Sequence, residues 1–231
     1  MSRFASIRTA VALVLAACGG SGGAAAGPGQ PGTLEPIRDV AAAESLLVDL
    51  HEVDPSIRID ARYRTAQNFT GAPLPGYEAN RLLLRREAGA ALGRVQARLR
   101  ERGLGLEVWD AYRPVRATEA MVEWAERTDQ EHLLDDGYIA RRSRHNLGVA
   151  IDLTLVDLTT GRELDMGTPF DTFGPAAHTA SASGDVAGNR AILVQAMEAE
   201  GFENYPQEWW HFSYPLEGAV PFDVPIQETT P

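Results

Sequence analysis

The sequence predicts an α+β fold: a small, mostly antiparallel sheet with flanking helices, in one domain over residues 34–231. Three observations predict it. Short runs alternate apolar and polar residues, the period of a half-buried strand. Longer stretches return apolar residues every three to four positions, the period of a helix. The two kinds of segment alternate loosely along a chain that is 44% apolar, enough for a sizeable core.

The elements follow in order. "SIRIDARY" (Ser56–Tyr63) alternates and reads as a strand. "NFTGAPLPGY" (Asn68–Tyr77) has Gly and Pro at turn positions and reads as a loop. From Arg81 to Arg102, an apolar stripe through Leu84, Ala88, Ala91, Leu92, Val95 and Leu99 predicts a helix, with Gly103 as its stop. "LGLEVWDAY" (Leu104–Tyr112) reads as a strand, and Pro114 opens a second helix through "VRATEAMVEWAER". "GVAIDLTLVDL" (Gly148–Leu158) is a strand and "TTGREL" a turn after it. A third helix is expected over about Val186–Glu200, stopped by Gly201, and "EWWHFSYP" is a last short strand.

The first residues read as a leader rather than as part of the fold. Residues 1–17 carry Arg3 and Arg8 ahead of an apolar run from Ala10 to Ala17, too short to span a bilayer, so this is a signal peptide. The run ends in "LAAC", which resembles a bacterial lipobox, in which the cysteine is lipidated and becomes the first residue of the mature protein. The alternative is an ordinary signal peptide with a fortuitous cysteine. Cys18 is the only cysteine, so no intramolecular disulfide can form. Residues 18–33, rich in Gly, Ala and Pro, cannot build a core and read as a flexible tether. An exported lipoprotein in the bacterial cell envelope, anchored through Cys18 and facing the periplasm or the outside, is the expectation. The net charge is −11, and removal of the leader's two arginines makes it −13. That excludes nucleic acid as a partner, because phosphate neutralisation needs clustered Lys and Arg.

Three stretches carry chemistry. "SRHNLGVAIDLTL" (Ser143–Leu155) places Asp152 within an apolar strand, its side chain on the face opposite Ile151 and Leu153. A buried unpaired carboxylate costs several kcal/mol or more, so it needs a partner. His145 lies just upstream, across Gly148. The pair can bind zinc, form a buried hydrogen bond, or act as a metal-free dyad. "EWWHF" (Glu208–Phe212) sets Glu208 and His211 against an apolar wall. Their odd spacing sends them to opposite faces of a regular strand, so for both to serve one site Glu208 must sit in the bend after Pro206. A ligand from His211 would complete His-Asp-His, with Glu208 as general base. In "WDAYRP", Arg113 is placed either to stabilise an oxyanion or to bridge a carboxylate such as Asp110.

Together "VWDAYRP", "SRHNLGVAIDLTL", "DMGTPFDTFG" and "EWWHF", with "YRTAQNFTGAPLPGYEANR" ahead of them, resemble the zinc D-alanyl-D-alanine dipeptidases of vancomycin resistance, in the family's order over about Ser56–Pro215. The resemblance implies one zinc per chain, bound by His145, Asp152 and His211. It implies Glu208 as catalytic base and Arg113 as transition-state stabiliser. It implies substrate contacts from Ser143 and Asp171, and from Tyr63 and Tyr77 near the small pocket. Arg144 and Asn146 depart from the family pattern. His51 and His132 have no motif context, and His178 falls near the expected pocket rim. The expected activity is hydrolysis of D-alanyl-D-alanine in a cell-wall role. The rival readings are a D,D-carboxypeptidase or endopeptidase that trims peptidoglycan stem peptides, and a non-catalytic cell-wall-binding lipoprotein.

Overall fold

The computed structural model of the chain describes residues 34–228, so the expected leader and Cys18 tether lie outside the described residues. The elements run α1 (Val40–Leu46), β1 (Leu47–Asp49), α2 (Leu50–Val53), β2 (Arg58–Ile59), β3 (Leu83–Arg85), α3 (Arg86–Arg100), β4 (Leu104–Asp110), α4 (Val115–Arg127) and α5 (His132–Asp135), then β5 (Ala150–Asp157), β6 (Arg162–Glu163), α6 (Gly184–Glu198), β7 (Glu203–Asn204) and β8 (His211–Ser213). The main sheet has the order β2-β4-β5-β8-β7, with β6 on the far end of β5; β1 and β3 form a separate ribbon. Only the β2–β4 pair is parallel. This is the α+β class that the sequence predicts.

Two differences from expectation are the largest. The strand in "SIRIDARY" is only two residues long and gives way to a 3-10 turn at Arg62–Arg64. Residues 83–85 are strand, not the first turn of a helix, because they pair with Leu47–Asp49. Long-range pairing overrides a local apolar stripe that fits both states.

β5 is the centre of the fold, buried at every position from Ala150 to Val156. Ile151, Leu153 and Leu155 join one core with Ala88, Ala91, Leu92, Val95 and Leu99 of α3 and with Leu193 and Met197 of α6. Full burial of each large aliphatic side chain is worth about 1.5–3 kcal/mol relative to exposure. α3 reaches the β1 strand through Gly89, where a Cβ would stand 2.6 Å from Val48 Cγ1. A second cluster packs Ala117, Met121 and Ala125 of α4 against Tyr63, Tyr112 and Phe222. The C-terminal segment is strapped over it: the Tyr112 hydroxyl donates to Val224 O at 2.8 Å and accepts from Val224 N at 2.9 Å. With Ile151 and Leu153 committed to the α3 and α6 side, Asp152 points the other way.

Candidate active site

Three neighbouring strands build a row across the sheet. Asp152 on β5 lies opposite Asp110 on β4 and opposite His211 on β8. The β4–β5 register shifts between Val108 and Asp110, a bulge that brings Asp110 into the row. His145 enters from the 3-10 turn at Arg144–Leu147, just before β5. Ser143 caps that turn, its side chain accepting from His145 N, and the Asn146 side chain reaches back to Ser143 N. Gly148 closes it at φ +68°, a conformation that a Cβ would strain and where a Cβ would meet Leu47 Cδ2 at 2.8 Å. Glu208 sits in the bend that follows Pro206, one turn ahead of β8, as the spacing requires.

One ligand atom each of His145, Asp152 and His211 lies within 4.8 Å of the other two. His145 Nε2 is 3.2 Å from His211 Nδ1 and 3.4 Å from Asp152 Oδ2, and His211 Nδ1 is 2.9 Å from Asp152 Oδ1. The tautomer of His145 is fixed by its other nitrogen. Nδ1 is 2.6 Å from Ala111 O, a carbonyl that only accepts, so Nδ1 carries a hydrogen and in the neutral ring Nε2 presents the lone pair. Three possible ligand atoms, His145 Nε2, an Asp152 carboxylate oxygen and His211 Nδ1, thus converge on one point. A cation satisfies all three, and two imidazole nitrogens with a carboxylate oxygen are a donor set that suits zinc. Burial alone would raise the Asp152 carboxyl, but His145 and His211 hold it well below the usual carboxylate range. Burial pushes His211 below the ordinary histidine range despite Asp152. An ionised carboxylate and neutral rings are the forms that ligate.

Around this centre stand the other groups. Glu208 is buried, with Oε2 3.8 Å from His211 Nδ1. Burial raises its pKa well above the ordinary value, the negative charges of Asp152 and Asp171 add to the rise, and Arg113 opposes it. The Arg113 guanidinium donates to Asp110 Oδ2 from Nη2 at 2.7 Å and Nε at 3.0 Å, and Nη2 lies 3.8 Å from Asp152 Oδ2. Bridging Asp110 and facing the site are therefore one arrangement, not alternatives. Tyr63 covers the guanidinium, whose carbon is 5.0 Å from the ring centroid, and its hydroxyl donates to Asp171 at 3.1 Å.

A cavity of about 270 Å³ is lined by Tyr63, Arg113, Ser143, His145, Asp152, Asp171, Glu208 and His211. Of the residues singled out from the sequence, Tyr77 is not part of that lining. Its hydroxyl donates to Asp110 Oδ1 at 2.5 Å, so it stands one layer behind Arg113. Asp110, which the sequence offers only as a partner for Arg113, has a wider role. It is fully buried, takes bonds from Arg113 and Tyr77, and lies 3.3 Å from His145 Nδ1. Its strand position beside an arginine was the only signal. Tyr138, Phe173 and Tyr205 also wall the cavity, from loops with no periodic pattern to betray them. His178 is not part of the lining, but its Nε2 is 3.0 Å from the hydroxyl of Tyr138, which is. Among the described residues, His51 and His132 lie outside the cavity lining.

Asp171 adopts φ +57°, a left-handed conformation that Asp tolerates better than most residues and that is enriched at functional sites. Burial and the nearby Asp152 push its carboxyl up to about 8, against the pull of Arg113. The raised folded pKa sets the sign of a stability effect. Between about 4 and about 8 the unfolded chain has lost a proton that the folded chain keeps, so this group makes stability fall as pH rises through that window. Asp171→Asn removes the penalty. Urea unfolding of the metal-free protein should show the variant gaining on the parent between pH 5 and pH 8; a constant difference across that range would refute the shift.

The profile of the D-ala-D-ala dipeptidase family, peptidase M15, matches residues 43–229. A D-alanyl-D-alanine dipeptidase of Streptomyces coelicolor is 41% identical over 194 residues, 76% of this chain and 95% of that protein. One from Enterococcus faecium is 38% identical over 77% of this chain and 96% of that protein, and one from Escherichia coli 37% over 76% and 88%. With the match running over most of both partners, the chain belongs to the D-ala-D-ala dipeptidase family of M15 peptidases.

Proposed function

We propose that the chain is a zinc-dependent dipeptidase that hydrolyses D-alanyl-D-alanine to D-alanine. The observation that carries this reading is the convergence of His145, Asp152 and His211 on one point, with Glu208 and Arg113 facing it in the same small cavity. A binding protein needs neither a buried general base nor a buried guanidinium there, which speaks against the non-catalytic reading.

His145, Asp152 and His211 would hold the metal, which when bound supplies a Lewis acid that acidifies water and polarises a carbonyl. Glu208 removes a proton from the attacking water as its oxygen bonds to the peptide carbonyl carbon. Arg113 faces the carbonyl oxygen as negative charge builds there, held in place by Asp110 so that no reorganisation is needed. The C–N bond then breaks, and Glu208 returns its proton to the leaving amine. A base that receives and returns one proton works best near neutral pKa, and burial moves Glu208 in that direction. Asp171, with Tyr63 against it, takes the free ammonium of the substrate. An acylated amine would leave that buried carboxylate without its cationic partner, which disfavours longer chains.

The cavity is of a size that a dipeptide fits. About 270 Å³ falls just below the roughly 300–1,000 Å³ of sites for drug-sized ligands. The test is release of D-alanine by the purified, zinc-loaded protein from D-alanyl-D-alanine and from a pentapeptide ending in the same two residues. The dipeptide should be strongly preferred. Preference for the pentapeptide would favour the carboxypeptidase reading, and no release from either would end the enzymatic one. The apolar run ending in "LAAC" supports export and a lipid anchor at Cys18, for which the mass of the mature N-terminus is the check.

A further inference from the structure

A dipeptide is a zwitterion, and the groups assigned so far account for its ammonium and its scissile carbonyl but not for its carboxylate. The cavity is otherwise hostile to an anion, since Asp152, Asp171 and Glu208 all line it. Its cationic lining consists of Arg113, Arg142 and Arg144. Arg113 is already assigned to the scissile carbonyl oxygen and is anchored behind it, Nε and Nη2 bonding Asp110. Arg144 is tied outward, its Nη2 donating to Tyr214 O at 3.0 Å. Arg141 forms an exposed pair with Glu126 at 2.9 Å and does not line the cavity.

Arg142 remains. It is an exposed residue of the cavity lining, with no hydrogen-bonding or ion-pair partner among the described residues. The wall that carries it is held at its start, where Tyr205 donates to Gly137 O at 3.2 Å and Tyr138 meets His178. Ser143, the next residue, has its backbone N–H occupied by Asn146 and its Oγ accepting from His145 N, which leaves the hydroxyl hydrogen free for an acceptor in the cavity. We propose that Arg142 is a specificity residue of this enzyme: it neutralises the C-terminal carboxylate of the dipeptide, opposite the ammonium held by Asp171. The inference rests on the dipeptidase reading and adds to it a requirement for a free carboxylate. A planar guanidinium suits that role, because it offers two parallel donors to the two oxygens.

The test compares D-alanyl-D-alanine with its C-terminal amide in steady-state kinetics of the zinc-loaded protein. Arg142→Gln should raise KM for the free acid about tenfold with a much smaller change in kcat, the loss expected for one charge-assisted bond at an exposed site. The preference for acid over amide should fall by the same factor. Arg142→Lys should restore part of it, and Arg141→Gln should change nothing. An unchanged KM in Arg142→Gln would overturn the proposal. So would a KM that rises equally for acid and amide, which marks a damaged wall, or a loss of acid preference in Arg144→Gln alone. A parent enzyme inactive on both substrates would instead sink the dipeptidase reading, and this inference with it.

Discussion

Glu208→Gln should keep its metal and its fold and lose about 10²–10⁴-fold in kcat, the usual effect of removing a positioned general base. The substitution preserves shape, so the backbone bonds that hold the bend, Glu208 N to Tyr205 O at 3.0 Å and Asn204 Nδ2 to Glu208 O at 3.2 Å, are untouched. It removes only the capacity to take a proton. Glu208 is buried beside two other carboxylates, so its charge is a burden on the fold, not a support. The neutral variant should therefore be at least as stable as the parent above the ordinary glutamate range. The measurements are kcat on D-alanyl-D-alanine, zinc content and the urea midpoint, taken together. A variant that binds zinc, folds normally and stays within a few-fold of the parent rate would rule out the mechanism. One that loses zinc and stability together would show that Glu208 serves the structure.

The second large effect concerns the metal. His145→Ala and His211→Ala should each lose most of the bound zinc and with it the activity, because each removes one of three ligands from a site that has no fourth protein donor among the described residues. The two variants should differ in stability. His145 is buried and ties β4 to the turn before β5, through Nδ1 to Ala111 O at 2.6 Å. His211 lies at the partly open end of β8, and its Nε2 has only a long contact to Ser213 Oγ at 3.4 Å. His145→Ala should therefore cost more, measured by denaturant unfolding of metal-free protein. Both changes leave Asp152, which is 3% exposed, with one fewer group to offset its charge. Full zinc content in the His145→Ala, His211→Ala double variant would sink the ligand assignment.

Much of this site could be read before the fold was known, and for a local reason. The spacing of His145, Gly148 and Asp152 encodes a turn feeding a strand, and the odd spacing of Glu208 and His211 requires a bend before a strand. Both are properties of windows shorter than 12 residues. The helices α3 and α4 and the strands β4 and β5 were legible for the same reason: each carries its own period and its own stop. The failures are non-local. Leu83–Arg85 fits a helix by period and becomes a strand because Leu47–Asp49, some 36 residues earlier in the chain, supplies the partner. Tyr77 stands among the small-pocket tyrosines by sequence and one layer back in space, because Asp110 captures its hydroxyl.

By itself the sequence determined the kinds of element and which ionisable residues are candidates for the site, since periodicity and motif spacing are written within single segments. Only the tertiary structure decided the strand order β2-β4-β5-β8-β7, the row Asp110, Asp152 and His211 across three strands, the role of Asp110 as the anchor of Arg113, and the loop residues that wall the cavity. Those depend on which backbone donors meet which acceptors and which side chains share a face after the chain has closed on itself, and register between distant strands leaves no trace in the period of either one.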